Sequence, residues 1–296
     1  MFASRVLILA VMMLGAAVCA CADEAPSLFS GPQVGEKLPP LKASLAYGEQ
    51  AGEVVDLVEL AAGRPTLLVI VNGSNRPAAN LTRCLMNYAE MHEDKLFAAT
   101  VYLADDLSGA ETLLRQGISW WGMGPPIGVS VDGAEGPGSY GLNRNVNLTI
   151  LVAQKGQVTA NYPLIQPSLT DAPKILADVV SLIDAPVPTE PELRFLSMPT
   201  RKPGDVPWAA APADVELRKL VCRAITAGTD DEARAVAAQI EQYVGDDKAR
   251  QAAIGNVSSA LLRTDTYQTA LDGPMAVHLK RWRDAYDVPN PRRRAR

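Results

Sequence analysis

The sequence predicts an α/β fold, a three-layer domain with a central mixed sheet flanked by helices, followed by a small all-α C-terminal domain. Three observations predict it. Apolar, β-branched runs recur at residues 66–71, 97–103, 127–131 and 148–153, the length of strands buried on both faces. Helical spacing of apolar residues fills several of the intervals between them. Beyond residue 212 only helical patterns remain.

The elements follow in order. Residues 66–71 (TLLVIV) read as a buried strand, and Pro77 to Met91 as a helix with Leu81, Cys84, Leu85 and Tyr88 on one side. A second strand, 97–103, leads to a helix over 108–116, with Ser108 as N-cap and Glu111 completing a capping box. Strands follow at 127–131 and 148–153. Lys155-Gly156 forms a hairpin turn into a strand over 157–162, and 171–183 reads as a closing helix. Residues 185–212 carry Pro186, Pro188, Pro191, Pro199, Pro203, Pro207 and Pro212, too many for a helix or an inner strand, and read as a linker. Four short helices then fill 213–287. One runs from Asp214 and one opens on the Thr229–Glu232 capping box and stops at Gly245. A third follows Lys248, and the fourth has Pro274 at its first position.

The N-terminus reads as a leader. Arg5 precedes a short apolar run from Val6 to Val18, and Ala20-Cys21-Ala22 fits a small-residue cleavage site. The run falls short of the roughly 20 residues a spanning helix needs, so residues 1–22 read as a cleaved signal peptide rather than an anchor. Lipid attachment at Cys21 is the alternative, on a loose likeness to a bacterial lipobox. A polar stretch, 23–33, connects to the domain at 34–184. The expected setting is the cell envelope or beyond, secreted or periplasmic, with no integral membrane span after cleavage.

Composition bounds the function. The 296 residues carry a net charge of −5, which argues against nucleic acid as partner because phosphate contacts need a basic surface. The basic tail 288–296 fits an anionic envelope surface or plain solvation. Of 4 cysteines, Cys19 and Cys21 leave with the leader, so Cys84 and Cys222 remain. His92, with Glu93 and Asp94, lacks paired metal-ligand spacing and reads as a solvated helix end; His278 reads as packed. With two histidines in all, a serine–histidine hydrolase built on Ser130 and Asp132 is disfavoured. Residues 133–138 (GAEGPG) read as a flexible loop, and the loop 120–126 (WWGMGPP) as a contact surface or a cover over the sheet.

Five segments in order carry a resemblance: 34–40 (VGEKLPP), 53–57 (EVVDL), 63–71 (GRPTLLVIV), 129–132 (VSVD) with Tyr140-Gly141-Leu142, and 149–158 (TILVAQKGQV). Together they resemble the thioredoxin-like superfamily, in its peroxiredoxin-type redoxin branch, over about half of the chain. The resemblance implies a thiolate at a helix N-terminus, where the helix dipole and free backbone N–H groups lower the thiol pKa. Aligned on Pro77, residues Asn75, Arg76, Pro77 and Ala78 stand where that family has Cys-x-Pro-Cys, and Leu148 stands at its cis-proline. By this resemblance the active site is degenerate.

Cys84 admits a second reading. Its distance from Pro77 matches the peroxiredoxin proline-to-cysteine spacing, with Thr82 one position out of register. Two turns into a helix and on its apolar side, it otherwise reads as a buried, inert thiol. A disulfide between Cys84 and Cys222 is a further alternative in an oxidising compartment. Two functions therefore compete. The first is an exported, non-catalytic module that binds an unidentified protein or envelope component, without cofactor or metal. The second is a divergent thiol peroxidase or oxidoreductase using Cys84, with Cys222 as resolving partner.

Overall fold

The computed structural model describes residues 28–117, 124–201, 211–262 and 273–286. The leader with Cys21, the Trp120-Trp121 pair and the basic tail lie outside the described residues.

A seven-stranded mixed sheet forms the centre. Its strands are β1 (Lys42–Leu45), β2 (Val54–Asp56), β3 (Thr66–Val71), β4 (Phe97–Tyr102), β5 (Ile127–Ser130), β6 (Leu148–Gln154) and β7 (Gln157–Leu164), in the order β2-β1-β5-β4-β3-β6-β7. β3, β4 and β5 are parallel, and the other pairings are antiparallel. Helices α1 (Leu57–Ala61), α2 (Arg76–Met91), α3 (Leu107–Gln116) and α4 (Ala172–Ile183) connect and flank them. Helices flanking a central mixed sheet make this the three-layer α/β architecture that the sequence predicts. Every residue of β3 is buried, which is why its sequence runs apolar without alternation. Lys155 and Gly156 turn the β6–β7 hairpin with φ of 52° and 74°, the positive pair a tight hairpin turn requires.

Two apolar layers cover the sheet. On one face Leu68, Ile70, Ala99, Val101 and Leu151 meet Leu57 and Tyr140. On the other, Leu67, Val69, Ile150 and Val152 pack beneath α2 and α4 through Leu81, Cys84, Leu85 and Leu176. This second layer continues without a break into the C-terminal helices: α5 (Glu190–Leu196), α6 (Val215–Thr226), α7 (Asp230–Val244), α8 (Lys248–Leu261) and α9 (Ala276–Tyr286).

Several sequence expectations are corrected. The proline-rich stretch is not free of helix. Pro191 falls in the first turn of α5, where its missing N–H has no intrahelical partner to lose, and a Thr189–Glu192 capping box starts the helix. Leu193, Phe195 and Leu196 are buried against α2, where Asn87 donates to the Leu196 carbonyl at 2.7 Å and Arg83 to the Ser197 carbonyl at 2.6 Å. Two short strands, β8 (Thr200–Arg201) and β9 (Ala211–Pro212), pair in the same stretch. Asp106, not Ser108, caps α3: its carboxylate accepts from Gly109 N at 2.9 Å, and a Cβ at Gly109 would lie 2.2 Å from Asp106 Oδ2. Glu111 instead accepts from the Ser44 hydroxyl and pairs with Arg115. Asp56 ends β2 and caps α1, so the extended segment stops one residue before Leu57. Pro274 sits in a turn ahead of α9, whose first residue is Ala276. Residues 133–140 form two 3-10 turns and not a loose loop; the second buries Tyr140, whose hydroxyl donates to the Pro39 carbonyl.

Candidate functional site

The loop between β3 and the start of α2 is built from polar residues at the carboxyl end of a buried strand. Asn75 is the N-cap of α2, in extended conformation, and its Oδ1 accepts from Ala78 N at 2.9 Å. Arg76 and Pro77 occupy the first two helical positions. Asn75, Arg76 and Pro77 are exposed while Ala78 is buried. The end of the helix dipole is therefore served by a neutral side-chain amide, with no thiol among residues 72–79.

The neighbouring strand clamps this loop. The Asn147 carbonyl accepts from Asn72 N at 3.0 Å and Gly73 N at 3.2 Å, while Asn147 Nδ2 donates to the Ile165 carbonyl. Asn72 Nδ2 reaches the Arg144 and Val146 carbonyls. A Cβ at Gly73 would fall 2.1 Å from Asn147 Oδ1, so a larger residue there must displace the Asn147 side chain from its bond to Ile165. Leu148 follows as the first residue of β6, fully buried and paired with Val71 and Leu164, and no peptide bond among the described residues is cis. Asn72, Gly73 and Asn147 did not stand out in the sequence; their partners are some 75 residues apart in the chain.

The two described cysteines lie elsewhere. Cys84 is 0% exposed on the sheet-facing side of α2, and Cys222 is 5% exposed on α6. Burial pushes the Cys84 thiol far above its ordinary range. Burial, then the nearby Glu192 carboxylate, does the same to Cys222. Both are free thiols, so the alternative of a Cys84–Cys222 disulfide does not describe this structure. Neither touches the Asn75–Ala78 turn chemistry, and a thiol held protonated is a poor nucleophile.

The histidines also fall apart from that loop. His92 is the C-cap of α2, half-buried with its ring 4.6 Å from that of Tyr88; burial, opposed by Asp94, lowers its pKa. It is not the solvated helix end its sequence neighbours suggest. His278 lies 6.0 Å from Trp282, ring to ring. Ser130 is buried and accepts from Asp132 N, with neither histidine in the same hydrogen-bond network. No cluster of three or more metal-ligating side chains occurs among the described residues, and no helix there is long and apolar enough to cross a membrane.

Comparison with known proteins adds likeness of shape. No family model matches the chain, and no curated protein does. Among solved structures, a protein assigned as the thiol:disulfide interchange protein DsbE from Chlorobium tepidum is 16% identical, with TM-score 0.39, over 53% of this chain and 99% of its own. A peroxiredoxin-like protein from Aquifex aeolicus is 15% identical, with TM-score 0.36, over 52% of this chain and 91% of its own. Reduced Prx3 from Vibrio vulnificus, in complex with hydrogen peroxide, is 19% identical, with TM-score 0.36, over 50% of this chain and 99% of its own.

Proposed function

We propose that this chain is an exported thioredoxin-like protein that has lost the thiol chemistry of its fold and acts as a non-catalytic binding or scaffolding module of the cell envelope. One observation carries the reading. The N-terminus of α2, where such a fold would activate a thiolate, is closed by the Asn75 amide, and the remaining thiols are sealed in the core. Export rests on Arg5, the apolar run that follows it and the Ala20-Cys21-Ala22 site. The partner is a protein or an envelope component that meets the surface on which Asn75, Arg76 and Pro77 are exposed.

Peroxide consumption with a dithiol reductant tests the reading. The expected result is no turnover above buffer, identical in the Cys84→Ser variant. Turnover that disappears in Cys84→Ser overturns the proposal in favour of a thiol peroxidase.

A further inference from the structure

The C-terminal end of α2, the segment 186–189 before α5, and α6 enclose an open cavity of about 350 Å³. This is within the range of small-molecule sites, roughly 300–1,000 Å³. Met91, Pro186, Val187, Pro188 and Leu196 supply its apolar wall.

His92, the C-cap of α2, lines the same cavity and is half-buried. Its ring rests against that of Tyr88, while the Tyr88 hydroxyl is sealed from solvent and takes no part. The His92 ring nitrogens form no hydrogen bond among the described residues, and neither is among the polar atoms sealed from solvent. A neutral imidazole in that state keeps one donor and one acceptor for a molecule that enters. Burial, opposed by Asp94 and reinforced by Lys219 and Lys95, lowers the His92 pKa, so the ring is neutral above about pH 6.5.

The charges around His92 are committed elsewhere. Lys219 Nζ pairs with Glu216, Lys95 Nζ reaches the Ile183 carbonyl at 3.4 Å, and Asp94 is exposed to water. Arg223 donates to Gln239 Oε1 at 2.8 Å, and Glu192 Oε2 accepts from Thr189 N at 2.7 Å. Glu192 and Arg223 line the cavity with opposite signs, which favours neither an anion nor a cation. A hydroxyl is a neutral group suited to a neutral imidazole, because its O–H donates to the lone pair of the ring. We propose that this cavity binds a small neutral molecule with an apolar body and a hydroxyl group, which donates its hydrogen bond to the unprotonated ring nitrogen of His92. The site is separate from the α2 N-terminus, so it stands whether or not the thiol reading holds.

Fluorine NMR titrations of the full chain with 4-fluorophenol, and with 4-fluoroanisole as the counterpart lacking the O–H donor, test this. At pH 7.5, 4-fluorophenol binds saturably and about threefold to tenfold more tightly than 4-fluoroanisole, the worth of one ordinary hydrogen bond. That advantage is lost as pH falls and His92 takes up a proton, since the imidazolium has no lone pair to offer. His92→Phe keeps an aromatic ring against Tyr88 and brings 4-fluorophenol down to the affinity of 4-fluoroanisole. Val187→Trp, at a position 52% exposed, fills the mouth and abolishes binding of both without touching His92. The proposal is overturned by no saturable 4-fluorophenol binding, by 4-fluoroanisole binding as tightly at pH 7.5, or by an affinity that His92→Phe leaves unchanged.

Discussion

Glu90 on α2 and Arg218 on α6 form an ion pair whose side chains are 11% and 1% exposed, joining the sheet layer to the C-terminal helices. Arg218 also donates to the Pro212 carbonyl at 3.0 Å, which fixes the chain entering α6. Removing Arg218 leaves the Glu90 carboxylate largely buried without its partner. Arg218→Met is therefore expected to cost about 3–5 kcal/mol in urea unfolding. The double variant with Glu90→Leu should recover part of that loss. A double variant as unstable as the sum of its single variants would show that the pair is not coupled.

The sheet and the buried side of α2 are legible in the sequence because their signals are local. Residues 66–71 are continuous aliphatics, and Leu81, Leu85 and Tyr88 repeat at helical spacing. β1 is not legible, since KASL is four residues long without a β-branched side chain, and its pairing with β5 supplies the strand. α5 hides among prolines because Pro191 falls at the one place in a helix that tolerates it. At the candidate site, the placement of Asn75 at a helix start is readable from Pro77. The Asn147 clamp is not, because it depends on which residues the fold brings together.

The thiols give an alkaline signature. Cys84 and Cys222 have folded-state pKa values raised above the unfolded range of about 8.5. Their contribution to stability is complete below that range and is lost as pH rises, since only the unfolded chain then releases the protons. Each thiol can contribute up to about 1.4 kcal/mol per pH unit. Unfolding free energy should fall between about pH 8.5 and 10, below the range where tyrosines ionise. The slope should flatten in the Cys84→Ala and Cys222→Ala variants. Both thiols should react with Ellman's reagent only after denaturation; rapid labelling of the native protein would contradict their burial.

His92 gives the opposite signature on the acid side. Burial is the main cause of its lowered pKa, so the native state takes up its proton at lower pH than the unfolded chain does. Stability from this group is present above about pH 6.5 and is lost as pH falls through the folded value. Thermal unfolding followed from about pH 7 to 5 should show the loss, and His92→Gln should reduce its slope. An unchanged slope in that variant would assign the acid sensitivity to the carboxylates instead.

The start of α2 offers the sharpest test of what the fold retains. Asn75→Ala removes the cap to Ala78 N and should cost about 1 kcal/mol. Asn75→Cys places a thiol at the same exposed N-cap, with the helix dipole aimed at it and no burial to oppose ionisation. Its apparent pKa, from the pH dependence of iodoacetamide alkylation, should fall below the ordinary 8.5 or so. Cys84 in the same molecule should stay unlabelled, because its surroundings remain those of the core. If the new thiol instead ionises like a free cysteine, the frame around α2 no longer activates a nucleophile, and loss of the side chain alone does not explain the inactivity proposed for this chain.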